Sequence, residues 1–131
     1  MSQFHCQCGH VISTVAYPNS VEGWIYGIEA EEEFESKVGD AVAAYFAAKK
    51  KEGRSQWLVA FFSKEYPQDI SDSAVVVDIA RKTARPYFRD LLECPSCGRL
   101  HIEESPGDNR YRSYRSEIDS PAGILKHKKN A

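Results

Sequence analysis

The fold turns on Cys94-Pro95-Ser96-Cys97-Gly98-Arg99-Leu100-His101-Ile102. Two residues separate the thiols, and Gly98 accepts the positive φ that turns backbone N–H groups toward sulfur. Such a turn offers a metal ion one edge of a tetrahedron. Thiol–disulfide motifs of the same spacing open a helix, whereas the alternating Leu100-His101-Ile102 predicts a strand. A second edge is written near the other end of the chain, in Phe4-His5-Cys6-Gln7-Cys8-Gly9-His10-Val11-Ile12. It repeats the apolar approach, two cysteines, glycine and apolar exit, with one residue fewer between the thiols and hence a tighter bite. Cys6, Cys8, Cys94 and Cys97 are the chain's four cysteines, and four thiolates point to Zn2+ held structurally.

Between Cys8 and Cys94 lie 85 residues, more than a conventional zinc ribbon inserts between its knuckles. The penalty for closing a loop grows only as the logarithm of its length, and structural zinc supplies on the order of 10 kcal/mol. The residues leave other readings open. These are free core thiols, a redox pair at Cys94 and Cys97, iron in place of zinc, a site that binds nothing, or His5, His10 or His101 replacing Cys6 or Cys8 as a ligand.

Outward from the cysteine pairs, the periodicity changes. Val11 to Ile28 mixes β-branched and aromatic residues with turn residues such as Pro18-Asn19-Ser20, the pattern of short strands. Residues 29–52 predict a helix, because Phe34, Val38, Val42, Tyr45 and Phe46 recur at three- and four-residue spacing. Glutamates crowd its start and Lys49, Lys50 and Lys51 its end, which complements the helix dipole, and Gly53 is a natural stop. A short buried helix is expected over 55–65. A third helix is expected over 73–84, capped by Ser71 or Asp72 and ended near Pro86. Tyr87 to Glu93 leads into the second pair as a strand, and Pro106-Gly107-Asp108-Asn109 marks a turn. Residues 111–115 alternate and supply a hairpin partner for 99–104.

The reading is therefore one α+β domain over 1–131, with a small antiparallel zinc-ribbon sheet formed by both chain ends. Its parts are a first knuckle at 4–12, a mostly helical insertion at about 29–85, a second knuckle with its hairpin at about 87–117, and a flexible tail at about 119–131.

Composition narrows the function. Charged residues are 27% of the chain and the net charge is -2, so affinity of the whole chain for a polyanion is not expected. No apolar run approaches the roughly 18 residues of a membrane span, and Met1 to Cys6 lacks the basic and apolar regions of a signal peptide, so the chain is expected in the cytoplasm. No phosphate-binding glycine loop, HExxH pair or GxSxG elbow occurs, and Asp69, Asp72 and Asp78 read as solvated residues, so no enzyme is expected. Two charged sets remain. Glu31, Glu32 and Glu35 lie on the acidic start of the long helix and suit a basic protein partner. Arg110, Arg112 and Arg115 alternate with Tyr111 and Tyr114, and arginines among aromatics can contact phosphates and stack bases.

The two cysteine motifs, the Pro106–Asn109 turn and the following Tyr111-Arg112-Ser113-Tyr114 with Glu117 together resemble a group of small bacterial proteins with split zinc-ribbon knuckles. That resemblance covers about residues 4–12 and 91–117. It implies zinc ligation by Cys6, Cys8, Cys94 and Cys97. It also implies a link to immunity proteins encoded beside secreted polymorphic or contact-dependent toxins. The expected function is a non-enzymatic, zinc-stabilised protein-binding module of the immunity kind, with a basic toxin domain as partner. The alternative is a nucleic-acid-binding zinc ribbon.

Overall fold

The structure, a computed structural model, describes residues 3–119 and 122–127. Its chain forms two compact units, one from the two ends (up to Tyr26 and from Phe88) and one from Gly27–Tyr87. The class is α+β, with every strand pairing antiparallel.

The end unit holds all the strands among the described residues. β1 (Gln3–His5) pairs with β2 (Val11–Ser13) around the first cysteine pair. β3 (Glu22–Ile25), β4 (Arg89–Glu93), β5 (Leu100–Glu103) and β6 (Tyr111–Tyr114) form a second sheet in that order. The hairpin expected of residues 99–104 and 111–115 is β5–β6, with Leu100 opposite Tyr114 and Glu103 opposite Tyr111. The cysteine pairs thus sit on two sheets rather than one ribbon. Each strand of the β1–β2 hairpin is only three residues long, and side chains join it to the larger sheet. Phe4 packs on His101 at 4.4 Å and on Tyr111 at 5.1 Å between ring centroids. Ile12, fully buried, clusters with Cys6 and Cys94.

The other unit is built on three α-helices, α1 (Glu31–Lys50), α2 (Arg54–Phe61) and α3 (Asp72–Ala84), flanked by short 3-10 turns at Ile28–Ala30 and Arg85–Tyr87. Tyr45, Leu58, Val75 and Ile79 are fully buried at their junction, ringed by Trp57, Phe61, Phe62 and Tyr66. Ser71 caps α3 as expected, its Oγ accepting the Ala74 N–H at 3.3 Å. The stop of α1 differs in detail from its expectation. Glu52, not Gly53, takes the left-handed conformation at φ 58. Gly53 instead donates its N–H to Ala48 O at 2.8 Å. Asp72 ties α3 to α1 by accepting from Tyr45 Oη at 2.5 Å and from Lys49. Lys49 first, and Tyr45 with it, hold the Asp72 carboxyl below its ordinary range. Arg54 closes the same corner through Tyr45 Oη at 2.9 Å and the Gln68 and Ile70 carbonyls.

Of the expected tail, residues 120, 121 and 128–131 lie outside the described residues. In residues 122–127 the amides of Gly123, Ile124 and Leu125 hydrogen-bond the Glu93 carboxylate.

Candidate metal centre

The two cysteine turns are the same turn at two lengths. In the second, Cys94 N–H donates to Arg99 O at 2.9 Å and Gly98 N–H to Cys94 O at 2.8 Å. In the first, Cys6 N–H donates to His10 O at 2.9 Å and Gly9 N–H to Cys6 O at 2.9 Å. Each closing bond spans one residue fewer, which matches the missing residue between Cys6 and Cys8. Both turns need a left-handed residue after the second cysteine, and glycine supplies it at φ 97 for Gly9 and φ 78 for Gly98.

These turns bring all four sulfurs within 4.8 Å of one another. Cys6 Sγ lies 3.6 Å from Cys97 Sγ, and Cys8 Sγ 3.6 Å from Cys94 Sγ. A disulfide needs about 2.05 Å. Four thiolates around a zinc ion at about 2.3 Å have edges of about 3.8 Å. The donor set therefore fits a tetrahedral metal, and all four cysteines are free to serve.

The ligands differ in surroundings. Cys94 is fully buried and Cys6 nearly so, Cys97 is half-buried and Cys8 exposed. Burial pushes the Cys94 thiol up to about 12, although the Cys97 and Ser96 N–H groups point at its sulfur. Burial is the strongest single influence on Cys97 and acts upward, but the Arg99 N–H and guanidinium together with the Cys6 and Cys94 thiols outweigh it and bring the thiol down to about 6. Arg99 reaches Cys97 Sγ at 3.4 Å. A bound cation would favour the thiolate at every position.

No histidine joins the four-donor group among the described residues. His5 and His10 are exposed. His101 is buried against Phe4, with Nδ1 2.7 Å from Ser113 Oγ and Nε2 without a hydrogen-bond partner among the described residues. Burial, and then Arg99, lowers its pKa.

The charged candidates stand apart from the sulfurs in role. Glu31 is half-buried and Glu32 and Glu35 are exposed on the first turns of α1, while Glu33 between them pairs with Lys37 at 3.4 Å. Arg110 pairs with Asp108 at 3.5 Å and Arg112 with Glu104 at 3.1 Å, and Arg115 is exposed. Two carboxylates not singled out in the sequence are almost fully buried. Glu103 accepts the Asp90 and Asn109 N–H groups, and Glu93 accepts from the C-terminal segment.

Fold and site together define an α+β protein whose cysteine cluster can hold a metal ion. The chain belongs to a family described as a domain of unknown function, DUF8617, whose model matches residues 2–118. No curated protein and no solved structure matches it. No helix among the described residues is long and apolar enough to cross a membrane.

Proposed function

We propose that the chain is a non-enzymatic, zinc-stabilised module that binds a protein partner, in the manner of an immunity protein that neutralises a bacterial toxin. The observation that carries the scaffold half of this reading is the set of four free sulfurs at tetrahedral-edge separations. Four thiolates fill a zinc ion's coordination sphere and leave no position for substrate or activated water, so the metal is structural. The partner half rests on α1. Glu32 and Glu35 are exposed near its start, with Glu31 half-buried beside them, and a compact basic domain such as a nuclease toxin complements that charge. Nucleic acid is the poorer ligand. Arg110 and Arg112 already face carboxylates, and the net charge is -2.

The test joins two measurements on the full chain. Elemental analysis of freshly reduced protein is expected to give one zinc per chain. Charge reversal of Glu31, Glu32 and Glu35 together is expected to slow association with a basic toxin domain more than it speeds dissociation. Tight, salt-sensitive binding to a short oligonucleotide, lost when Arg110, Arg112 and Arg115 are replaced together, would overturn the protein-partner reading.

A further inference from the structure

Glu93 is 3% exposed, and three successive backbone N–H groups converge on its carboxylate. Gly123 and Ile124 donate to Oε2 at 2.7 and 3.0 Å, and Leu125 donates to Oε1 at 3.1 Å. A run of N–H groups arranged in this way is an anion-binding nest. Gly123 at φ 111 provides the left-handed step inside it.

The anion at the centre of this nest is the residue immediately before the buried ligand Cys94. Its backbone is fixed as well, because the Glu93 N–H donates to Val21 O at 2.7 Å and the residue lies opposite Leu100 in the β4–β5 ladder. The same segment also touches the far side of the knuckle, where the position of a Cβ on Gly98 would be 3.7 Å from Ala122 Cα. Residues 122–125 thus grip the second cysteine turn from both flanks, just before its first ligand and just after its second. Beyond the knuckle, Leu125 reaches Gly23 on β3, with a side-chain carbon 3.6 Å from where a Cβ would lie.

We infer that Glu93 is a latch that couples the metal centre to the C-terminal segment, so that the segment is held while the second knuckle holds its metal and is released when the metal leaves. This rests on the reading of the cysteines as a metal site. Linkage makes the coupling reciprocal. If metal steadies the segment, the segment must tighten metal binding by the same factor. The loaded and unloaded proteins would then present different surfaces around Glu93, Gly98 and Gly23, which makes metal loss a signal that can be read outside the cysteine cluster.

The test measures two quantities on the full chain, the zinc Kd by competition with a chromophoric chelator and the hydrogen exchange of the Gly123, Ile124 and Leu125 amides. Two variants approach the latch from opposite sides. Glu93→Gln keeps the shape but places an amide NH2 among the N–H donors. Gly123→Ala lies far from the ligands in sequence, and its added Cβ meets nothing within 4 Å, so only the strained φ acts. With zinc bound, both are expected to speed exchange of the three amides at least tenfold while the Cys94 and Gly98 amides stay protected. Both are also expected to raise the zinc Kd by at least about fivefold. Faster exchange in Gly123→Ala with an unchanged zinc Kd overturns the coupling, as does unaltered exchange in Glu93→Gln. Should Glu93→Gln fail to fold, Gly123→Ala decides alone. Protein that binds no zinc at all overturns the metal reading itself, a result separate from either variant outcome.

Discussion

The two cysteine turns share a hydrogen-bond plan and differ in what supports them. The Cys94–Cys97 turn joins two strands of a four-stranded sheet, has one fully buried sulfur, and is gripped by the C-terminal segment. The Cys6–Cys8 turn closes a hairpin of three-residue strands, and Cys8 is exposed. A two-stranded hairpin is marginal in water on its own. The second turn is braced by the larger sheet, whereas the first is braced by the packing of Phe4 and Ile12 and would gain most from a shared metal. A metal held by all four sulfurs would thus be a bond between two sheets of unequal size.

The largest effect is expected from breaking the stronger side. Cys94→Ser removes a buried ligand and leaves a hydroxyl among apolar neighbours, so zinc should be lost and the four-stranded sheet should be strongly destabilised, the buried hydroxyl adding to the loss of the metal. Circular dichroism melting with elemental analysis checks this. Cys8→Ser, at the exposed ligand, should weaken zinc binding and loosen residues 3–13 while the four-stranded sheet keeps its protected amides in hydrogen exchange. Equal collapse in both variants would erase the asymmetry between the turns.

A core truncation in the helical unit sharpens the contrast from outside. Leu58→Ala removes a fully buried side chain beside Tyr45, Val75 and Ile79 and should destabilise that unit by about 2–5 kcal/mol. Zinc content should not change, and loss of zinc in this variant would show that the helical core supports the cysteines.

A smaller effect concerns His101, which lies between the two sheets. Its folded pKa is lowered from 6.5, by burial first and by Arg99 second. The unfolded chain therefore takes up this proton more readily than the folded one, and stability falls as pH drops below about 6.5 toward the lower folded value. Above about 6.5 both forms are neutral and this contribution is constant. In His101→Gln, chemical denaturation between pH 7.5 and 5.5 should show a shallower loss than in the parent. Identical slopes would mean that His101 does not titrate differently in the two states. The smallest effect is expected at the α3 cap, where Ser71→Ala should cost about 1 kcal/mol and leave the end unit unchanged in thermal melts.

What could be read in the sequence was local. The cysteine turns, their glycines, the Ser71 cap and the β5–β6 hairpin each depend on residues within a few positions, and each lies where spacing places it. The three helices follow from apolar periodicity joined to charge at the ends of α1. What escaped was long-range. Leu91, Leu92, Glu93 and Cys94 are buried in succession, so no alternation marks Glu93, and its donors lie 30 to 32 residues further along. The division into two sheets was equally hidden, because strand composition does not say which strands pair. The left-handed Glu52 beside Gly53 shows the limit even of local rules, since the residue that takes the positive φ is not the glycine.

The most direct test of the joined turns is X-ray absorption at the zinc edge on freshly reduced protein, with elemental analysis of the same sample. One zinc per chain surrounded by four sulfurs at about 2.3 Å is the expected result. Absence of metal or a shell containing nitrogen would contradict a centre made of Cys6, Cys8, Cys94 and Cys97, and iron in the same four-sulfur shell would contradict zinc.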